Sequence, residues 1–397
     1  MLRHRIDYRN TRNILYMHYF ISVGEPSGDI HAAELIARLK ELDPQARFTF
    51  LGGDLMTREA GTDPVIHYRD MAFMGFSEVL RNLRTIFGNL SKAKRAIIDS
   101  HCQALILVDY PSFNLKLARF ATRHRIPVYY YISPKVWAWK EWRVKQLRRY
   151  VRRLYSILPF EVEFFRRHSM EVQYVGNPSL EEVDRRLSGV VPLDEFLRRH
   201  HLAPRPILAL VPGSRRGEIR NNLPIMDAVA RRHPDLQPVI AAAPGMDESF
   251  YRQYSTFPLV TGATFELMKY AEAALVTSGT ATLECALAGT PQVVCYRANG
   301  VKLSYNIMKH LIKSPFVSLP NLIAGREVIP EMLVHLCTVD SVDARLCDIL
   351  PGAPGRQLQL DGYRDMRSRL GVSLAAPTAA RLIYDDLTRL THTDTKK

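Results

Sequence analysis

The sequence predicts an α/β protein built from two doubly wound units that face a central cleft, and three observations predict it. Short apolar runs alternate with helix-period segments along most of the chain. The length of 397 residues exceeds what one ordinary core accommodates. The alternation breaks once, around residues 188–206, where charged residues and prolines take over before the pattern restarts.

In the first unit the strand candidates are Tyr19–Val23, Phe48–Gly52, Ala104–Val108, Val128–Ile132, Leu154–Leu158 and Val172–Val175. Amphipathic stretches such as Ala33–Leu42 and Phe113–His124 lie between them, which argues for a parallel sheet with helices on both faces. The second unit repeats the scheme with Ile207–Leu210, Pro238–Ala242, Leu259–Thr261, Ala274–Thr277 and Gln292–Tyr296. Past Asp340 the chain reads as helical, closing near Ala379–Leu390. The expected division is a leader over residues 1–16, a first unit over 17–190, a second over 191–345, and closing helices over 346–397. Sheets of this kind bind ligands beyond the carboxyl ends of their strands, so the chemistry is sought in those turns.

Composition narrows the partners. Hydrophobic residues make up 47% and charged residues 24%, a folding composition. The net charge of +14 favours nucleic acid, anionic membrane or phosphorylated substrates without choosing among them. Cys102, Cys285, Cys295, Cys337 and Cys347 form no CxxC pair and suit buried fillers in a reducing compartment. Arg3, Arg5, Arg9 and Arg12 precede an apolar run, Ile14–Val23, that superficially resembles a secretory signal; it carries no small-x-small cleavage site and is read as the first core strand. No apolar stretch approaches the roughly 20 residues of a membrane-spanning helix, so a cytoplasmic or peripheral protein is expected.

Three turns and one strand end carry candidate chemistry. Gly24-Glu25-Pro26-Ser27-Gly28-Asp29 joins the first strand to the first helix, whose free N–H groups suit an anion or sugar hydroxyl. A plain turn with Asp29 as N-cap explains it equally well. Val211-Pro212-Gly213-Ser214-Arg215-Arg216-Gly217-Glu218 repeats the design, and here two arginines at a helix start oppose the helix dipole. A docked diphosphate turns that liability into a clamp. Thr277-Ser278-Gly279-Thr280 offers further N–H and hydroxyl donors, with Glu284 one turn on, where a carboxylate can hold ribose hydroxyls. Asp109 ends the most apolar strand, where a general base would stand; it could also cap the following helix.

Two further segments have a bland and a sharp reading. Arg143, Lys145, Arg148, Arg149, Arg152 and Arg153 form a basic run on an amphipathic helix, either a solvated face or a phosphate-attracting and membrane-facing patch. Within Met71–Leu90, Phe76, Leu80, Leu83 and Phe87 stand beside Arg81 and Arg84, either as core or as an interfacial contact for acyl chains. No Asp-x-Asp appears, so the divalent-cation site of one large glycosyltransferase class has no candidate ligands. Walker A, HExxH and GxSxG are absent as well, and no RNP or zinc-finger pattern supports nucleic-acid binding.

At these residues the chain resembles the lipid-A-disaccharide synthase family. The matching blocks are GEPSGD at 24–29; Met74-Gly75-Phe76-Ser77-Glu78-Val79-Leu80; DYPSFN at 109–114; ISPKVWAW at 132–139; LPFEVEFF at 158–165; VGNP at 175–178; LVPGSRRGE at 210–218; SGTATLE at 278–284; and SLPNLIAGREVIPE at 318–331. They run collinearly across roughly residues 18–335. The chain departs from the family's usual GEASGD at Pro26 and from its frequent VGHP at Asn177. The resemblance implies the GT-B fold and an inverting transfer that uses no metal and no cofactor. It implies UDP-2,3-diacylglucosamine as donor and 2,3-diacylglucosamine 1-phosphate as acceptor, giving the β-1,6-linked disaccharide 1-phosphate and UDP. It further implies work at the inner face of the inner membrane and a homodimer joined through the C-terminal helices. Residue by residue, Asp109 resembles the acceptor base, and Glu25, with Ser27 and Gly28, lies in the first active-site turn. Arg215, Ser278, Gly279, Thr280 and Glu284 resemble the UDP-contacting set, and Asn321 an active-site asparagine. UDP-sugar 2-epimerases, which share fold and nucleotide turns, are one rival reading, and a non-enzymatic basic protein that binds membrane or nucleic acid is the other.

Overall fold

The computed structural model describes residues 16–71, 83–139, 141–297 and 316–394. Two all-parallel sheets form its frame. The first contains β1 (His18–Ser22), β2 (Arg47–Gly52), β3 (Ile66–His67), β4 (Ala104–Val108), β5 (Val128–Tyr131), β6 (Arg153–Ser156) and β7 (Gln173–Tyr174), in the order β3-β2-β1-β4-β5-β6-β7. The second contains β8 (Ile207–Val211), β9 (Gln237–Ala242), β10 (Leu259–Thr261), β11 (Ala271–Thr277), β12 (Gln292–Tyr296) and β13 (Glu331–Leu333), in the order β10-β9-β8-β11-β12-β13. Each order reverses once, between β1 and β4 and between β8 and β11. Diverging connections open a crevice at those two points.

The strands are apolar on both faces because both are covered. Tyr19 and Ile21 of β1 pack with Ala104, Ile106 and Val108 of β4 on one side, whereas Phe20, Leu105 and Leu107 pack on the other. In β8, Ile207, Ala209 and Val211 face one core and Leu208 and Leu210 the opposite one. That period of two is what the apolar runs encode once helices fill both sides.

The chain passes between the units twice, and the first passage is earlier than the expected boundary near residue 190. Val175 belongs to the first core, but Leu180 and Val183 of helix Pro178–Ser188 already pack in the second. The stretch expected as a link holds a helix of its own, Leu193–Arg199, with Phe196 buried in the second core. Asn177 starts this arrangement. Its side chain accepts from the amides of Ser179 (2.9 Å) and Leu180 (3.3 Å) and donates to the Ile157 carbonyl (2.8 Å). A helix cap explains the asparagine without invoking chemistry.

The return passage follows helix Pro354–Leu370, whose Tyr363, Met366 and Leu370 fill the second core. Helix Ala375–Asp394 then buries Ala375, Ala379, Ala380, Ile383 and Leu387 against the first core. Its Asp386 is gripped by Arg152 (2.6 Å) and by the Tyr129 hydroxyl (2.8 Å). The apolar face of this closing helix is therefore buried within the chain. The two passages touch at Gly176, where φ is +110° and a Cβ would lie 2.0 Å from the Ser373 carbonyl oxygen. No other residue fits that crossing.

Candidate active site

The carboxyl ends of β1, β4 and β5 meet around Asp109. Asp109 and Tyr110 both adopt left-handed backbone conformations, with φ of 43° and 48°. Such strain persists only where the surroundings impose it. Here buried Asn114 donates to the carbonyls of Asp109 (2.8 Å), Val108 (3.2 Å) and Ser22 (3.3 Å), and accepts from the Ser22 hydroxyl at 2.7 Å. The Tyr130 hydroxyl adds a bond to the Asp109 carbonyl at 2.5 Å. Asp109 does not cap the following helix: Tyr110 occupies that position, and no side chain caps it. The carboxylate is thus left for the cleft, which the capping alternative would not have allowed.

Electrostatics gathers four groups at this point. Burial pushes the Asp109 carboxyl above its ordinary range, and the Lys135 ammonium pulls it back. Glu25 is also raised, first by burial and then by the Asp109 charge, while Arg215 and Lys135 oppose the shift. Arg215 belongs to the second unit, so its charge reaches Glu25 from the other unit. A carboxylate raised toward neutral pH yet kept beside a cation suits a general base.

Beneath Lys135 lies a carboxyl that the sequence reading passed over. Glu161, 1% exposed, accepts from the Trp137 indole at 2.9 Å and meets the Ser156 hydroxyl. Burial raises it to about 7. Trp137 also packs edge-on against Phe160 at 5.1 Å, so Glu161 fastens the loop that carries Lys135. Both residues sat in quoted blocks, ISPKVWAW and LPFEVEFF; an acid within an apolar run was the available signal.

In the second unit, Gly213 has φ +116°, and a Cβ there would come within 2.5 Å of Glu218. The Glu218 carboxylate reaches back to the amides of Ser214 (3.0 Å) and Arg215 (3.3 Å), a helix start satisfied from within. The helix N-terminus that was expected to hold a diphosphate is therefore partly occupied by the chain's own carboxylate, and Arg215, 68% exposed with Glu218 at 3.5 Å, becomes the main positive group. Arg216 turns elsewhere, stacking over Phe250 at 4.6 Å with Asp247 at 3.8 Å. Buried Asn222 ties the neighbouring strand ends together through Thr277 (2.9 Å) and the Arg297 amide (2.8 Å), the counterpart of Asn114.

Ser278 is half-buried and Gly279 and Thr280 are exposed at the carboxyl end of β11, with the helix Thr280–Ala288 free of any side-chain cap. Glu284 is half-buried, raised by burial and opposed by Arg186. Ser27 is exposed and Gly28 buried in the first turn. Asp29 proves structural in a different way from the expected one, since it caps the neighbouring helix through the amides of Gly53 (2.8 Å), Leu55 (3.1 Å) and Met56 (3.3 Å).

Asn321 departs from its expected contact with substrate. Its amide donates to the Ile329 carbonyl and Glu331 (both 2.9 Å) and accepts from Val328 (2.7 Å) and Ile329 (2.9 Å). With two donations and two acceptances its hydrogen-bonding capacity is full, so it shapes the 318–331 loop instead. Phe76 and Leu80 lie outside the described residues, as does the side chain of Leu83; Phe87 is 60% exposed. The basic run does not form one outward face. Arg143 is buried, and Arg152 and Arg153 pair with Asp386.

One group among the described residues brings three metal-type ligands within 4.8 Å: His233, Asp343 and Cys347. Asp343 is already bonded by His233 (2.7 Å) and Arg232 (3.1 Å). The group stands past the far end of helix Arg216–Ala230, about 20 Å from the cleft at 1.5 Å per residue.

Comparison with known proteins decides what this geometry belongs to. The family model described as lipid-A-disaccharide synthetase matches residues 19–373. The chain belongs to that family. It is 35% identical over 374 residues to the lipid-A-disaccharide synthase of Solibacter usitatus, covering 92% of this chain and 96% of the relative. It is 38% identical over 376 residues to that of Myxococcus xanthus, with the same coverage. Among solved structures, UDP-GlcNAc 2-epimerase from Neisseria meningitidis aligns with a TM-score of 0.57 at 11% identity, over 94% of this chain and all of that one. The calicheamicin glycosyltransferase CalG4 aligns with a TM-score of 0.57 at 15% identity, over 94% and 99%. Those likenesses establish the GT-B fold and do not separate transferase from epimerase; the synthase relatives make that separation.

Proposed function

We propose that this chain joins UDP-2,3-diacylglucosamine to 2,3-diacylglucosamine 1-phosphate, releasing UDP and the β-1,6-linked lipid A disaccharide 1-phosphate. Family membership supplies the reaction, and one observation carries the mechanism. The Asp109 carboxyl is held on strained backbone at the end of β4, raised by burial and steadied by Lys135. Asp109 takes the proton from the acceptor hydroxyl as that oxygen attacks the anomeric carbon, and the bond from this carbon to the UDP oxygen breaks with inversion. Negative charge grows on the departing diphosphate, where Arg215 and the turn at Ser278, Gly279 and Thr280 receive it in place of a metal ion. Glu284 is assigned to the ribose hydroxyls, and Glu25, with Ser27 and Gly28, to the sugar beside Asp109.

The acylated substrates require contact with the inner face of the inner membrane. Exposed Phe87 and Trp142, 60% and 59% accessible on a chain with a net charge of +14, support such a contact. No helix among the described residues is long and apolar enough to cross a membrane. A homodimer is proposed on the family resemblance alone, through a surface other than the buried face of helix Ala375–Asp394. The test of the whole reading is incubation of the purified chain with both acylated sugars, following UDP and disaccharide; neither product would form if the reading is mistaken.

A further inference from the structure

Among the described residues, no carboxylate pairs with Arg143. The residue is only 8% exposed, yet its contacts among the described residues are a hydrogen bond to the Ser112 hydroxyl at 2.9 Å and the Trp142 ring at 5.6 Å, neither of which carries a negative charge. A buried guanidinium without an anion is unfavourable and is seldom retained unless an anion arrives. Ser112 lies in the first turn of helix Pro111–Arg123, a helix of 13 residues that no side chain caps. Pro111 supplies no N–H, and the Ser112 amide and hydroxyl stand at the positive end of the helix dipole. The position is informative too: Ser112 follows Asp109 by three residues, and Tyr130, which bonds the Asp109 carbonyl, also lies beside Arg143.

We propose that Arg143 and Ser112, with the N-terminus of helix Pro111–Arg123, form the subsite for the phosphate monoester of the acceptor sugar. The assignment rests on the glycosyl-transfer reading and deepens it. A phosphate there completes the fork of Arg143, accepts from Ser112, and fixes the ring so that its far hydroxyl reaches Asp109. The same contacts would let the cleft tell a phosphorylated acceptor from a non-phosphorylated one. Selectivity of this kind comes from polar groups left unpaired when the wrong ligand binds.

Steady-state kinetics of the full chain test this, with saturating donor and two acceptors: the 1-phosphate, and the same diacylated glucosamine with a free anomeric hydroxyl. The second compound is measured as a competitive inhibitor if its turnover is too slow. Arg143→Gln is expected to raise the KM for the phosphorylated acceptor about 10-fold or more. It should leave the donor KM and the constants for the non-phosphorylated compound unchanged. Ser112→Ala, at an exposed position, should move the same constant in the same direction by less. Equal losses on both acceptors, no loss, or a loss confined to the donor KM overturns the assignment. If Arg143→Gln does not fold, Arg143→Lys and Ser112→Ala must both show the selective rise, or the assignment falls. Absence of product from the wild-type chain refutes the transferase reading itself, an outcome distinct from failure of the subsite.

Discussion

Replacing Glu161 with glutamine should stabilise the protein above neutral pH and do nothing in acid. The Ser156 hydroxyl has one proton and two acceptors in reach, the Leu158 carbonyl at 2.9 Å and the Glu161 carboxyl, while it accepts from the Leu158 amide at 3.0 Å. If that proton goes to Leu158, the carboxyl must itself donate to Ser156, and only its protonated form can. Burial favours the same form, placing the carboxyl at about 7 against an ordinary 4.5. At 1.36 kcal/mol per pKa unit the gap amounts to about 3 kcal/mol. The sign follows from proton counts. Between 4.5 and 7 the folded chain holds the proton and the unfolded chain has lost it, so stability falls as pH rises through that window. The penalty is complete above about 7. Glu161→Gln keeps the acceptor for Trp137 and the donor for Ser156 without the titration. Its thermal midpoint should match wild type near pH 4.5 and exceed it by several degrees at pH 8, at roughly 2–4 °C per kcal/mol for a domain of this size. A midpoint difference that ignores pH, or a glutamine variant less stable at pH 8, would show that Glu161 is held ionised and refute the reasoning.

Asp109→Asn should lower kcat by about 10²–10⁴-fold while UDP binding, read by calorimetry, stays unchanged; weaker UDP binding would move Asp109 out of the base role. Lys135→Met should push the acid limb of the kcat/KM profile upward, because it removes the cation that opposes the raised Asp109 carboxyl; an unmoved or lowered limb would contradict that. Arg215→Ala should add about 2.7–4 kcal/mol to the barrier, whereas Arg216→Ala should cost far less because Phe250 and Asp247 hold its guanidinium; equal effects would show that the diphosphate clamp lies elsewhere. Gly176→Val should lower the thermal midpoint sharply, since its Cβ would strike the Ser373 carbonyl; an unchanged midpoint would mean the two passages can part freely.

Most of the fold was legible because parallel sheets covered on both faces leave an unambiguous apolar signature. Ala104–Val108, Leu259–Thr261 and Gln292–Tyr296 match observed strands end to end, and most others differ by a residue or so. The short edge strands Ile66–His67 and Glu331–Leu333 were not legible, since His67 and Glu331 interrupt any apolar run that would mark them. The passage between units was misplaced for a related reason. Asn177-Pro178 reads equally as a turn or as a capped helix start, and only the packing of Leu180 and Val183 decides. The site was half legible. Asp109, Glu25 and Arg215 announce themselves by standing at strand ends. Lys135, Arg143 and Glu161 matter through neighbours distant in sequence, and Asn321 resembled a ligand contact until its four hydrogen bonds were traced.

In the proposed mechanism two facing turns and one carboxylate suffice to transfer the acylated sugar without a metal ion. The most direct test incubates the purified chain with UDP-2,3-diacylglucosamine and 2,3-diacylglucosamine 1-phosphate in excess chelator. UDP and disaccharide 1-phosphate are then quantified together. Equimolar release of both, at the rate seen without chelator, is the expected result. Failure to form disaccharide, or a rate that collapses and returns only with added magnesium, would contradict it.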